Sequence, residues 1–160
     1  MKSMVNQDPQ PELYTTRAVF PGTATTGDVA TTTVFTNQAN NEECRIYAIM
    51  VDILNENGAP VTTASTDTDF NIAIQVGPNS IPSNAFDATV INFKDDKTLA
   101  FSTPILALFQ QPLAVEVILN STAGGTLAAQ RTVVVTLIGE LAIQKEYYSQ
   151  RQRPNPRGVR

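Results

Sequence analysis

Hydrophobic and polar residues alternate along several short stretches of this 160-residue chain. The clearest alternation covers residues 69–76 (DFNIAIQV), where Phe70, Ile72, Ile74 and Val76 occupy every second position. Successive side chains of a β-strand point to opposite faces of its sheet, so a period of two places these four residues on one face. The pattern therefore predicts a half-buried strand over residues 69–76.

Residues 44–54 (CRIYAIMVDIL) predict a strand of a different kind. Apolar side chains occupy both faces of this stretch, which is typical of a central strand between two layers. Residues 104–109 (PILALF) are compatible with a strand or a helix, and residues 140–152 are the one moderate helix candidate. Further strands are predicted over residues 13–20, 30–36, 61–64, 86–93, 98–101, 113–119 and 126–138.

Turn signals separate these predicted strands. Asn57-Gly58 is a strong short-range turn signal, because both residues tolerate a positive φ. Residues 77–84 (GPNSIPSN) predict a loop. Gly124-Gly125 lies between the last two predicted strands, whose β-branched content favours a hairpin around this turn.

Short strands separated by turns roughly every ten residues are typical of a β-sandwich or barrel. We therefore expect a single all-β domain, an antiparallel β-sandwich of jelly-roll-like type, with an immunoglobulin-like sandwich as the second choice. The expected sandwich covers residues 13–149. A polar N-terminal arm (residues 1–12) and a basic C-terminal arm (residues 150–160) flank it.

Composition supports this prediction. Hydrophobic residues make up 42% of the chain and charged residues only 16%, which argues against a disordered protein. The polar residues are mainly Thr, Asn, Gln and Ser, and Thr suits the solvent face of a strand. The single cysteine, Cys44, cannot form an intrachain disulfide, and we expect it to be a small buried thiol.

Charge is distributed unevenly along the chain. Residues 1–144 contain six basic and fourteen acidic residues, a net charge of −8, whereas residues 145–160 contain five basic and one acidic residue, a net charge of +4. An extended basic arm suits an acidic protein surface, and the body of a neighbouring copy is the nearest such surface. A solvated tail without a role is the alternative. The candidate partner-binding residues are Tyr147, Tyr148, Arg151, Arg153, Arg157 and Arg160.

A nucleic-acid backbone is the other acidic partner that this arm could contact. Its four arginines have no interleaved aromatic residues, so the attachment would be weak and sensitive to salt. Tyr147 and Tyr148 precede the arginines, and tyrosines so placed are more often anchors at a protein interface or in a core. We therefore expect contact with protein rather than with nucleic acid.

The side chains that support most enzyme chemistry are missing. The sequence has no histidine, which excludes the commonest general base and the Ser-His-Asp arrangement, and it has no glycine-rich phosphate loop. Asp67 and Asp69 are the closest pair of carboxylates for a glycosidase dyad or a weak calcium site, with Asp52 and Glu56 next. Ordinary polarity at the entry to a strand explains them better. We expect no catalytic residues, no cofactor and no metal.

The N-terminal residues 1–12 (MKSMVNQDPQPE) lack an apolar core, so we expect no signal peptide. No apolar stretch approaches the ~20 residues of a membrane-spanning helix. We therefore expect a protein made in the cytoplasm that does not enter a membrane.

The Thr-rich strands, the polar arm of residues 1–12 and the Arg/Pro-containing arm of residues 150–160 together resemble the small jelly-roll structural proteins of bacteriophage virions. The resemblance is to the auxiliary, cement or decoration subunits of capsids, and it covers the character of the whole chain rather than a residue motif. It implies a homotrimer or larger symmetric oligomer that binds the major capsid protein or another virion protein and stabilises the capsid lattice.

Two other functions fit the same pattern. One is a carbohydrate- or receptor-binding sandwich of a tail or fibre, which exposed aromatic residues on one face would favour. The chain has no Trp and only seven Phe and four Tyr, most of them in predicted strands. The other is a phage neck or tail-completion protein, which would differ in the symmetry of its partners.

Overall fold

The computed structural model describes residues 10–38, 42–122 and 124–143, with the backbone alone for Gln10, residues 80–84 and Ile143. Its described part contains eight strands and one short α-helix, with a 3-10 turn at Thr66–Thr68. In chain order the elements are β1 (Gln10–Phe20), β2 (Val29–Thr36), β3 (Glu42–Leu54), β4 (Phe70–Val76), β5 (Asn79–Asp87), α1 (Ala88–Asn92), β6 (Thr98–Ala107), β7 (Pro112–Leu119) and β8 (Arg131–Ile143).

The strands form two antiparallel four-stranded sheets. Sheet A has the order β1-β8-β3-β6 and sheet B the order β2-β7-β4-β5. The pairing is nested: β4 pairs with β5, β3 with β6, β2 with β7, and β1 with β8. A long hairpin rolled into two facing sheets has this nested pattern, which is the jelly roll. The prediction of an all-β sandwich of jelly-roll type is confirmed, and the immunoglobulin-like alternative is not adopted.

The core lies between the two sheets and consists of aliphatic side chains with a few aromatic rings. Strand β8 shows how the sequence builds it, since Val133, Val135 and Leu137 are fully buried and the intervening residues are not. Phe70 begins β4 in sheet B and contacts Phe20 at the end of β1 in sheet A. Their ring centroids are 5.1 Å apart, a normal separation for an aromatic pair. The two sheets are therefore held together by dry apolar contacts from both sides.

Several predicted elements keep their place but change their bounds. Strand β1 begins at Gln10, so residues 10–12 belong to the sheet and not to an N-terminal arm. Strand β8 extends to Ile143, so the first residues of the predicted helix 140–152 are strand, and the remainder lies outside the described residues. Residues 98–101 and 104–107 form one strand, β6.

The predicted hairpin between residues 113–119 and 126–138 is wrong. Strand β7 lies in sheet B between β2 and β4, and β8 lies in sheet A between β1 and β3. The connection through residues 120–130 crosses from one sheet to the other, so the glycines Gly124 and Gly125 do not make a tight strand-to-strand turn. Local turn chemistry indicates where a chain reverses, but not which sheet the next strand joins.

The region after β4 also differs from the prediction. Residues 79–84, predicted as a loop, form most of β5, and the segment predicted as a strand over residues 86–93 ends in the helix α1. The Asp87 carboxylate caps this helix by accepting a hydrogen bond from the Val90 amide at 3.0 Å. The prediction of a returning strand over residues 61–64 is wrong, and the nearest pairing is an isolated bridge between Leu54 and Pro60.

Cys44 is fully buried in β3, as predicted. Burial raises the pKa of its thiol to about 11, with an opposing effect of the neighbouring Tyr14 hydroxyl and a further increase from Glu12. A thiol that is both inaccessible and protonated reacts only after the sandwich opens.

We therefore expect Cys44 in the native protein to react with an aromatic disulfide reagent at least ~100-fold more slowly than in denaturant. Because it is the chain's single cysteine, the labelling rate is a direct measure of opening. Fast labelling of the folded protein at neutral pH would show that the end of the sandwich around β3 opens independently of the rest.

Candidate assembly surface

The six residues that the sequence nominates for partner binding are not among those that the structure describes. Tyr147 and Tyr148 follow β8 by a few residues, and Arg151, Arg153, Arg157 and Arg160 come later in the chain. Their role stays a prediction. The described residues present a different candidate, the outer face of sheet A.

The outer face is the surface of sheet A that points away from sheet B. The strand registers align its side chains in rows across β1, β8 and β3. One row contains Leu13 and Ile138, and the next contains Thr15, Thr136 and Met50. Further members of the face include Arg17 and Val19 on β1, Thr132, Val134 and Glu140 on β8, Glu43, Arg45, Tyr47 and Asp52 on β3, and Leu106 on β6.

Large apolar side chains are concentrated on this face. Leu13 is 69% exposed, Val19 54%, Leu106 43%, Met50 40% and Tyr47 39%. These are five of the ten large hydrophobic residues that are exposed in the described part of the chain. Exposed apolar side chains gathered on one face are a common mark of a surface that another protein covers.

The outer face of sheet B provides an internal comparison. Its central positions are small or polar: Ala73 and Ala114 are almost fully covered, and the Gln75 amide donates a hydrogen bond to Glu116 at 2.8 Å. Val29, at its edge, is its one strongly exposed large hydrophobic residue among those described. The two outer faces of one molecule therefore differ in kind, and the apolar one belongs to sheet A.

A kink crosses sheet A at Tyr47. In β3 this residue is extra relative to β8, because Ile46 pairs with Gly139 and Ala48 pairs with Ile138. In the pairing of β3 with β6, Ile46 pairs with Ile105 and Ala48 pairs with Ala100, so residues 101–104 of β6 are extra relative to β3. Such β-bulges redirect a side chain and are enriched next to functional sites. Here the bulge directs Tyr47 onto the outer face.

A charged cluster stands beside the kink, at one end of the outer face. Arg45 forms ion pairs with Glu43 and, at 3.4 Å, with Glu140, whose carboxylate also accepts a hydrogen bond from the Tyr47 hydroxyl at 2.5 Å. The hydrogen bond to Glu140 raises the pKa of the Tyr47 phenol, so the hydroxyl remains a donor. Two carboxylates share one guanidinium, and the cluster therefore keeps a net negative charge.

The opposite end of the outer face carries the complementary charge. Arg17 is exposed on β1 and makes no ion pair with any described residue. Its row also contains Val134 and Asp52, and the Asp52 carboxylate is occupied by Lys97 at 2.5 Å. The face thus has an apolar centre, one uncompensated negative end and one uncompensated positive end.

The carboxylates considered for chemistry have separate structural partners. Asp67 lies 3.8 Å from the guanidinium of Arg131. Asp69 instead accepts hydrogen bonds from Asn120 at 3.1 Å and from Ser121 at 2.5 Å. These contacts fix the start of β4 and the loop after β7. Both carboxylates therefore have a structural role that requires no bound ligand.

The two further candidates also take part in ion pairs. Asp52 pairs with Lys97, as described above, and Glu56 pairs with Arg131 at 3.2 Å. Within the described ranges, no group of three or more His, Cys, Asp or Glu side chains is placed to hold a metal ion. No helix among the described residues is long and apolar enough to cross a membrane.

A shallow groove of about 290 Å³ lies between β5 and β6, at the edge where the two sheets meet. Its apolar lining includes Phe86, Leu99, Phe101 and Ile105. The rings of Phe86 and Phe101 stack on each other with centroids 5.4 Å apart. The aromatic faces are therefore largely used within the protein.

Comparisons with known proteins give little further information. No family model and no curated protein matches this chain. Among solved structures, it is similar to a part of dimeric latent PorU from Porphyromonas gingivalis, with 12% sequence identity and a TM-score of 0.30. The match covers 86% of this chain and only 14% of PorU.

Proposed function

We propose that this protein is a non-enzymatic structural subunit of a virion, which self-assembles and binds a capsid lattice to stabilise it as a cement or decoration protein. The observation that carries the proposal is the exposed apolar outer face of sheet A on a jelly-roll sandwich. A face of this composition is stable in water when another protein covers it. Jelly rolls are a recurrent fold of viral capsid proteins.

The charge distribution supports the same function. The described body is acidic, and the residues after β8 are basic, with Lys145 and four arginines against Glu146. A basic segment of one subunit and the acidic body of the next attract each other, which favours assembly into a closed ring or onto a lattice. The proposed partners are further copies of this chain and the major capsid protein or another virion protein.

The binding-module alternative receives less support. Its expected feature is a set of exposed aromatic residues on one face. The exposed aromatic residues among those described are Tyr47 on β3, Phe93 after α1 and Phe109 after β6, which belong to three separate regions. A platform for stacking a sugar ring is therefore not formed by these residues.

The molar mass of the purified full-length protein tests the proposal. Light scattering behind a sizing column should give a stable closed oligomer. The resemblance to capsid subunits implies that this oligomer is a trimer or larger. A single chain mass of 17.3 kDa at all concentrations would contradict self-assembly and would make a glycan screen the next experiment.

Deleting residues 150–160 should weaken self-association or capsid attachment while leaving the β-rich circular dichroism spectrum unchanged. The physical reason is that the deletion removes four arginines and begins after Ile143, where the last described strand ends. Full-length variants give a matched control, because replacing the four arginines by lysine keeps the charge and replacing them by glutamine removes it. Attachment that is equally strong in all variants would refute a role for the arm.

A further inference from the structure

We propose that two copies of this protein pair through the outer face of sheet A, related by a two-fold axis that lies in the interface and runs perpendicular to the strands. This inference rests on the proposed function, since it names a surface used for self-association. A two-fold contact joins copies in pairs, so it gives a dimer or, combined with the three-fold axis of a trimer, a hexamer. It is carried by the charges at the two ends of the face, by its apolar centre and by its size.

The charges of the outer face are complementary to those of its own copy. The cluster of Glu43, Arg45 and Glu140 keeps one uncompensated carboxylate, and Arg17 is an uncompensated cation. Glu140 pairs in register with Pro11, six residues before Arg17 along β1, so the two ends lie about 20 Å apart. A two-fold axis perpendicular to the strands exchanges these ends. Each Arg17 then faces the acidic cluster of the other copy.

The centre of the face suits packing against another sheet. Between the two charged ends lie Leu13, Thr15, Thr136, Ile138 and Met50. The hydroxyls of Thr15 and Thr136 are 3.0 Å apart and hydrogen-bond to each other, so their methyl groups are left for contact. An apolar centre with charges at its margin is the usual anatomy of a protein interface.

The face is also large enough for a specific contact. Four strands spaced ~4.8 Å apart and about nine residues long give a sheet surface of roughly 600 Å² in each copy. Two such surfaces bury about 1,200 Å², which is at the lower limit of stable interfaces. We therefore expect a pairing that depends on protein concentration and that the charges at the margin can shift.

Charge reversal at the two ends tests this geometry. Arg17→Glu and Glu140→Lys should each weaken pairing about tenfold or more, because each substitution puts like charges opposite each other twice in a symmetric dimer. A mixture of the two single variants should pair again, since every contact between the two different chains is then of opposite charge. Thr33→Glu on the outer face of sheet B, opposite Ala114, is the control and should leave pairing unchanged.

The readout is the dissociation constant from sedimentation equilibrium, with circular dichroism to show that each variant is folded. Recovery in the mixture cannot arise from misfolding of either variant, so it would establish the proposed pairing. Equal association of wild type and both single variants, or a mixture that stays dissociated, would overturn it. An odd-numbered oligomer that is insensitive to both reversals would overturn the pairing and leave self-assembly standing. A monomer under all conditions would contradict both.

Discussion

Replacing Gly139 by alanine should destabilise the protein by about 3–5 kcal/mol. A Cβ atom at this position would lie 2.2 Å from the carbonyl oxygen of Arg45 and 2.9 Å from a methyl group of Ile46. The oxygen belongs to the backbone of β3, the central strand next to β8, and cannot move away without breaking the pairing of the two strands. The substitution therefore forces the kinked part of sheet A apart.

The measurement is the free energy of unfolding from a urea titration. In thermal unfolding we expect the same substitution to lower Tm by roughly 10 °C. Gly124→Ala is the matched control, since a Cβ atom there has no neighbour within 4 Å and the change should cost little. A loss of stability that is equal in the two variants would mean that the close approach at Gly139 does not constrain the fold. Loss of pairing in a folded Gly139→Ala variant would link the kink to the outer face.

Gly139 also shows what the sequence could have revealed. The predicted strand 126–138 stops immediately before it, and a glycine inside a strand does weaken that strand. Glycine inside a strand has a second meaning, which is a bulge or the close approach of another backbone. In the structure, Gly139 marks the close approach of another backbone, and the strand continues to Ile143. The choice depends on β3, which is about ninety residues earlier in the chain, so no local pattern decides it.

Strand order could not be predicted for the same reason. The alternation over residues 69–76 indicates a buried face correctly, and β4 covers Phe70–Val76. The hairpin assigned to β7 and β8 fails because the jelly roll pairs β7 with β2, whose residues precede it by about eighty positions. Periodicity reports the environment of each side chain, whereas pairing is fixed by contacts between distant strands.

Strand β5 was missed because its sequence is rich in turn-forming residues. Pro82 lies in β5, which is an edge strand of sheet B. The paired positions next to it are Ile81 with Ile74 and Phe86 with Ile72, and Pro82 falls in the irregular part between them. Proline is tolerated at such a place because its missing N–H removes no ladder hydrogen bond. Sequence alone does not distinguish this arrangement from a loop.

The sequence indicates the apolar residues of the candidate surface on β3, but it predicts that they are buried rather than exposed. The apolar residues on both faces of β3 predicted a strand between two layers. The strand is central in its sheet, and its inner face packs against sheet B, but Tyr47 and Met50 on the other face are substantially exposed within the described structure. The prediction is therefore correct for the inner face of β3 and wrong for its outer face, which no layer covers in the described structure.

Replacing Phe70 by alanine should cost about 3–5 kcal/mol, the second large effect that the structure predicts. Phe70 is completely buried, begins β4 in sheet B and packs against Phe20 of sheet A, so its removal opens a cavity between the sheets at the end of the sandwich. Phe70→Leu fills part of that cavity and should cost about 1–1.5 kcal/mol. Phe109→Ala is the control on a 40% exposed ring and should change stability by less than about 1 kcal/mol.

Urea unfolding of the three variants distinguishes a core contact from a local one. If Phe70 joins the two sheets, its loss lowers the unfolding midpoint while the slope with denaturant stays constant, because the whole sandwich still unfolds together. A reduced slope, or separate transitions detected by circular dichroism and by the labelling of Cys44 in β3, would show that the two sheets unfold independently. The same result would weaken the proposed pairing, since a face can bind another copy specifically only if the sheet that presents it is held rigid by the core behind it.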